Sequence, residues 1–114
     1  SNICSNQSLM ALFVTVYMSL MGKQGMKEAD ELSYAGAHYL CDALLKTGKF
    51  KLTYDKPFFN EFHVKYDGDV DALYQRFIDA GFLGGEKYDG DLLFAVTEKR
   101  TKEEIDNLVK IAAI

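Results

Sequence analysis

Chemistry in this chain would have to come from two histidines, two cysteines, a glycine-rich stretch and a few turn aspartates and charged residues. His38 sits in a helical pattern beside Tyr39, and His63 in an alternating stretch. Neither has a cysteine, serine or carboxylate at a spacing that defines a catalytic triad or a metal site. Cys4 and Cys41 lie 37 positions apart with no C-x-x-C pair, so no zinc site or disulfide framework is signalled and a reduced, cytoplasmic protein is expected. Gly81-Phe82-Leu83-Gly84-Gly85 matches neither phosphate-cradling glycine pattern and reads as a turn. Asp67, Asp69, Asp89 and Asp91 flank glycines but miss the calcium-loop spacing, so turns and caps are expected there. Lys99 and Arg100 follow an apolar run, where a cationic pair could meet a phosphate or carboxylate; the plain alternative is a solvated helix entrance. No complete active site emerges.

The elements that must position these residues are legible from periodicity. Leu9 to Met21 is apolar nearly all the way round, with Asn6 before it as a cap and Gly22 after it as a stop, which predicts a helix buried on more than one side. It is too short to span a bilayer. A chain of 114 residues can cover only one face of such a helix, so the other face is expected to dock on something else. A second helix is predicted from Gly25 to Thr47, with Ala29, Leu32, Gly36, Tyr39, Leu40, Ala43 and Leu44 inward and Gly48 closing it. Phe50–Tyr54 and Phe58–Tyr66 alternate as half-buried strands, with Phe62, Val64 and Tyr66 on one face and Glu61, His63 and Lys65 on the other. Val70, Leu73, Tyr74, Phe77 and Ile78 stripe a third helix that stops at Gly81. Leu92–Val96 reads as a strand buried on both faces, with room for a short strand before it. Thr101-Lys102-Glu103-Glu104 is a capping box for a last helix with Ile105, Leu108, Val109 and Ala112 inward. The fold class is therefore α+β, a small, mostly antiparallel sheet with helices packed on it.

Bulk properties narrow the partners. The formal charge of −4, with basic residues scattered among acids, argues against nucleic acid or an anionic membrane. The start Ser1-Asn2-Ile3-Cys4 lacks both an initiating methionine and a signal peptide, which suggests a chain cut from a longer protein.

Three segments carry a resemblance. Ser1-Asn2-Ile3-Cys4-Ser5-Asn6-Gln7-Ser8-Leu9 closely resembles the Ser-Asn-Ile-Cys-Thr-Asn-Gln-Ala-Leu signature of glycine decarboxylase, the P-protein of the glycine cleavage system, in the first subunit of the two-subunit type. Lys56-Pro57-Phe58-Phe59-Asn60-Glu61-Phe62 and Val96-Thr97-Glu98-Lys99-Arg100-Thr101 resemble the same family in the same order. The one departure in the signature, Ser5 for the usual Thr, keeps the hydroxyl.

The resemblance implies the C-terminal small domain of a fold type I pyridoxal-phosphate enzyme, spanning 1–114 as a single domain, with the large domain before Ser1. It also implies that the first helix packs the small domain on the large one. The implied activity is glycine dehydrogenase (decarboxylating), which decarboxylates glycine and passes its aminomethyl group to the lipoyl arm of H-protein. In two-subunit enzymes the cofactor and its Schiff-base lysine belong to the second subunit. Hence this chain is expected to hold no catalytic, cofactor or metal residue, and its partners are the second P-protein subunit, H-protein and glycine. Matched through Thr101–Asp106, the position where aminotransferases carry a substrate-carboxylate arginine falls near Leu93, and Asp91–Val96 contains no arginine. Any support to a site or interface is expected from Asn6, Gln7, Glu98 and Arg100, with Asn6 acting simply as a helix cap as the plain alternative.

Two other readings stand beside this one. The chain could be the small domain of another fold type I enzyme, an aminotransferase or desulfurase, which an arginine near Leu93 would favour. It could also be a stand-alone α+β dimerisation module whose apolar helix is the self-association surface.

Overall fold

The computed structural model describes residues 6–114, so Ser1–Ser5 of the signature lie outside the described residues. In chain order the elements are α1 (Ser8–Lys46), β1 (Phe50–Leu52), β2 (Glu61–Tyr66), α2 (Val70–Asp79), β3 (Glu86–Tyr88), β4 (Asp91–Ala95) and α3 (Lys102–Ala112). The four strands form one antiparallel sheet in the order β1-β2-β4-β3, with Phe62 opposite Phe94 and Leu52 opposite Val64. The α+β class expected from the sequence is the observed one.

The two helices expected on either side of Gly22 run as α1, broken at Gly22 itself, whose φ of 65° and ψ of 178° are not helical. That backbone region is open essentially to glycine alone. Gln7 holds the cap position without a side-chain bond, and Asn6 Oδ1 accepts the Ser8 N–H at 3.3 Å. Beyond the break, Leu40 and Leu44 are buried as expected, but the rest of the buried stripe is Ser33, Ala37 and Cys41, rotated from the expected one. Leu32 is 59 % exposed and Tyr39 stands at the margin, its hydroxyl donating to Asp106 at 2.6 Å. Small residues explain the rotation: Ser33 and Ala37 let the helix approach closely, and at Gly36 a Cβ would meet Val96 Cγ1 at 2.9 Å.

The second part of α1 packs with α2 and α3 on one face of the sheet, around Phe50, Phe62, Val64, Phe77, Leu92, Phe94 and Val96. Aspartate 69 caps α2 by accepting from Asp71 N and Ala72 N. Its other end is a Schellman turn, with Gly81 at φ 82°, Gly81 N donating to Ile78 O and Phe82 N to Phe77 O. Thr101 and Glu104 complete the capping box of α3. Ile78 departs from its expected inward place and is exposed.

One strand expectation is corrected. In β4, Leu92 and Phe94 are buried while Leu93 is half-buried and Ala95 exposed, so the strand is covered on one face only. Helices cover a single side of the sheet, and the other side, carrying His63, Leu93 and Tyr88, is open. The short strand for which there was room is β3, joined to β4 by Asp89-Gly90, both at positive φ as a type I′ turn requires.

Candidate functional site

The first part of α1 stands off from this two-layer body. Leu9, Leu12, Phe13, Val16 and Leu20 are between 49 and 82 % exposed, and the arm they form offers apolar side chains on every side. Two of its hydroxyls are turned onto the helix backbone: Thr15 donates to Ala11 O at 2.8 Å and Ser19 to Thr15 O at 2.7 Å. The radius of gyration, 17.1 Å, exceeds the roughly 13 Å of a compact chain this long because the arm projects. An apolar surface of this extent marks an interaction site.

Two of the cavities on the body each gather one of the segments that resemble the P-protein. The first, of about 520 Å³ on the open sheet face, is lined by Lys56, Pro57, Phe58, Glu61 and Phe62 from the middle segment. Tyr54, His63, Tyr88 and Leu93 complete its wall. Its position is fixed by His38, which stacks on Phe58 with centroids 4.1 Å apart and donates from Nε2 to the Phe58 carbonyl at 3.1 Å. Leu93, where an aminotransferase would carry its carboxylate-binding arginine, is part of this apolar wall, so no guanidinium meets a substrate carboxylate there.

The second cavity is lined by Val96 and Arg100 of the third segment together with Leu40, Phe82, Leu83 and Glu104. Arg100 pairs with Glu104 across one helical turn at 3.7 Å, and both side chains are about half exposed, so the pair contributes little to stability. Glu104 is held below the ordinary carboxylate range by the Thr101 N–H and, secondarily, by Arg100. Glu98 is exposed in the turn after β4, and Asn6 and Gln7 are exposed at the start of α1. Arg100 and Glu104 thus meet at one cavity, while Asn6 and Gln7 belong to the arm. His63 and Tyr88 are the cavity residues that sequence reasoning passed over. The alternation that put His63 on the polar face was the available signal, but nothing local showed that Tyr54 and Tyr88 would close around it.

A pyridoxal phosphate does not fit the residues present. All eleven lysines are exposed or half-buried, and the exposed Lys56 in the wall of the first cavity is the one lysine lining either of these two cavities. The glycine-rich turn is not a cradle either: a Cβ at Gly84 would meet Phe77 ring atoms at 2.3 Å, so that glycine is packed against the core. Cys41 is buried with its thiol pushed up by burial and then by Asp42, an inert rather than nucleophilic setting.

Fold and surfaces together define an α+β domain with an exposed apolar helical arm and cavities on its body. Residues 1–112 match the family model described as glycine cleavage system P-protein, and the chain belongs to that family. Among its relatives, the "probable glycine dehydrogenase (decarboxylating) subunit 1" of Anoxybacillus flavithermus is 40 % identical over 96 % of this chain. The protein of the same description from Chlorobium luteolum is 44 % identical over 93 %. The chain spans about a quarter of the length of these curated relatives, 26 and 25 % respectively. A crystal structure of glycine decarboxylase (P-protein) of the glycine cleavage system, in inhibitor-bound form, superposes with a TM-score of 0.88 at 30 % identity, covering 99 % of this chain and 27 % of that one. No described helix is long and apolar enough to cross a membrane.

Proposed function

We propose that this chain is the C-terminal small domain of a glycine decarboxylase subunit, the first of a two-subunit P-protein, and that its role is structural: it joins its own large domain and supports a site centred on the second subunit. The observation that carries this reading is the arm. Exposed large apolar residues crowd positions 9–20, and in a family whose members are about four times longer there is ample polypeptide to cover them. Full burial of each such side chain contributes about 1.5–3 kcal/mol, ample for a stable interface.

On this reading the whole enzyme is a cytoplasmic heteromer that decarboxylates glycine and transfers the aminomethyl group to the lipoyl group of H-protein. Pyridoxal phosphate belongs to the partner subunit, as the resemblance to the two-subunit type implies. The missing arginine at Leu93 supports the same division of labour, since this domain offers no clamp for an amino-acid carboxylate.

The test is glycine–bicarbonate carbon exchange by the full-length subunit, with and without the second subunit from the same genome, in the presence of H-protein and pyridoxal phosphate. Exchange that requires both subunits supports the assignment. Exchange by the second subunit alone, unchanged when this one is added, overturns it.

A further inference from the structure

The cavity on the open sheet face holds an unused polar group. His63 Nε2 is buried and makes no hydrogen bond among the described residues, although the ring lies where β2 faces open space. A sealed, unpaired ring nitrogen disfavours the folded state and in native proteins calls for an explanation. Two tyrosines enclose it: Tyr54, with its ring centroid 5.8 Å away at 25°, and Tyr88, 5.9 Å away at 60°. Both are mostly exposed, 63 and 65 %, and Tyr88 rides on the short hairpin strand β3. Exposed side chains of this kind change rotamer on the picosecond to nanosecond scale, so the enclosure opens readily. Thr53, which donates to Asp91 Oδ2 at 2.9 Å, ties the start of the connector to β4 and keeps the two walls facing each other.

We propose that this cavity is a binding site for a small phenolic ligand, its ring packed against Tyr54, Tyr88 and Leu93 and its hydroxyl bonded to His63 Nε2 as the tyrosines turn aside. The volume, about 520 Å³, lies within the usual range for small-molecule sites. Leu52, Phe58 and Leu93 give it an apolar wall, which with the flanking tyrosine rings selects a flat aromatic body. A neutral imidazole nitrogen either donates or accepts, according to tautomer, and a hydroxyl matches both because it can do either. A carboxylate alone, as in glycine, finds no guanidinium here and only the exposed Lys56 at the rim.

The experiment is ligand-observed NMR titration of the full-length subunit with p-cresol and with toluene, repeated on His63→Phe and Tyr88→Ser, with circular dichroism to check the fold. Binding of p-cresol about tenfold tighter than toluene, with the preference lost in His63→Phe and both ligands weakened in Tyr88→Ser, is the expected result. Equal binding of the two ligands, a preference that survives His63→Phe, or no binding because another part of the subunit covers the cavity would each overturn the proposal. Should His63→Phe misfold, the Tyr88→Ser result decides, since Tyr88 is exposed on an edge hairpin.

Discussion

His38 and Phe58 lie face to face across the boundary between the helix layer and the connector, ring planes 7° apart, and the same imidazole donates to the Phe58 carbonyl. One side chain thereby fixes both the ring and the backbone of the segment that walls the first cavity. Phe58 in turn meets Phe62 at 5.4 Å, and Phe62 meets Phe94 at 5.7 Å, so the contact continues into the core. His38→Ala should lower the unfolding free energy by about 2 kcal/mol, combining a lost ring pair with an unpaired carbonyl. His38→Phe keeps the stack and should lose only about half of that. Urea unfolding of the two variants measures the difference, and equal losses would show that stacking contributes nothing.

Gly84 is buried, with the Phe77 ring in the place a side chain would take. Phe77 is itself fully buried and cannot swing away. Gly84→Ala should therefore cost about 1–3 kcal/mol through overpacking, seen as a lowered thermal midpoint. Gly48, also at positive φ but with open space around it, is the control: there alanine meets only backbone strain.

Local signals sufficed where the backbone itself decided. Gly22, Gly48 and Gly81 end or break helices at the positions expected because positive φ is a property of single residues. The capping box at Thr101 was equally legible, since both its hydrogen bonds span three residues. What failed were judgements about which face is covered. Leu32 and Leu93 look like core residues by type, yet whether a face is buried depends on how many layers stack on it, and here helices lie on one side only. The cavity around His63 was illegible for the same reason: residues 54, 63 and 88 come together only through the register of β1, β2, β4 and β3. Periodicity and chain length already called for a partner on the apolar helix, and the family resemblance only named a candidate for it, the large domain.

The polar pairs around α3 make stability depend on acid. Glu104 is depressed by the Thr101 N–H and, secondarily, by Arg100, while Asp106 is depressed by its hydrogen bond from Lys102 and then by Tyr39. For a carboxyl whose folded pKa is lowered, the stabilisation is complete above the unfolded value, about 4 for these groups, and disappears as pH falls through the folded value. Wild type should thus lose stability below about pH 4 more steeply than Glu104→Gln or Asp106→Asn. Urea midpoints from pH 3 to pH 7, on the order of five points, provide the comparison, and parallel curves would remove these pairs from the account.

The arm makes the sharpest demand. Phe13 is 65 % exposed, so Phe13→Glu should leave the unfolding midpoint of the 114-residue chain within about 0.5 kcal/mol of wild type. In the full-length subunit the same carboxylate would be forced into an apolar interface, at a cost of several kcal/mol. Exchange activity of the assembled enzyme should then fall at least about tenfold, a loss that 1.4 kcal/mol of weakened docking already produces. A neighbouring change that preserves apolar character, Leu12→Met, should leave activity intact. Apolar-dye binding separates the outcomes: the 114-residue chain should bind the dye and the intact subunit should not, because there the arm is covered. If Phe13→Glu is harmless in the intact enzyme, the arm faces water in the assembly, and the docking role proposed for this domain fails with it.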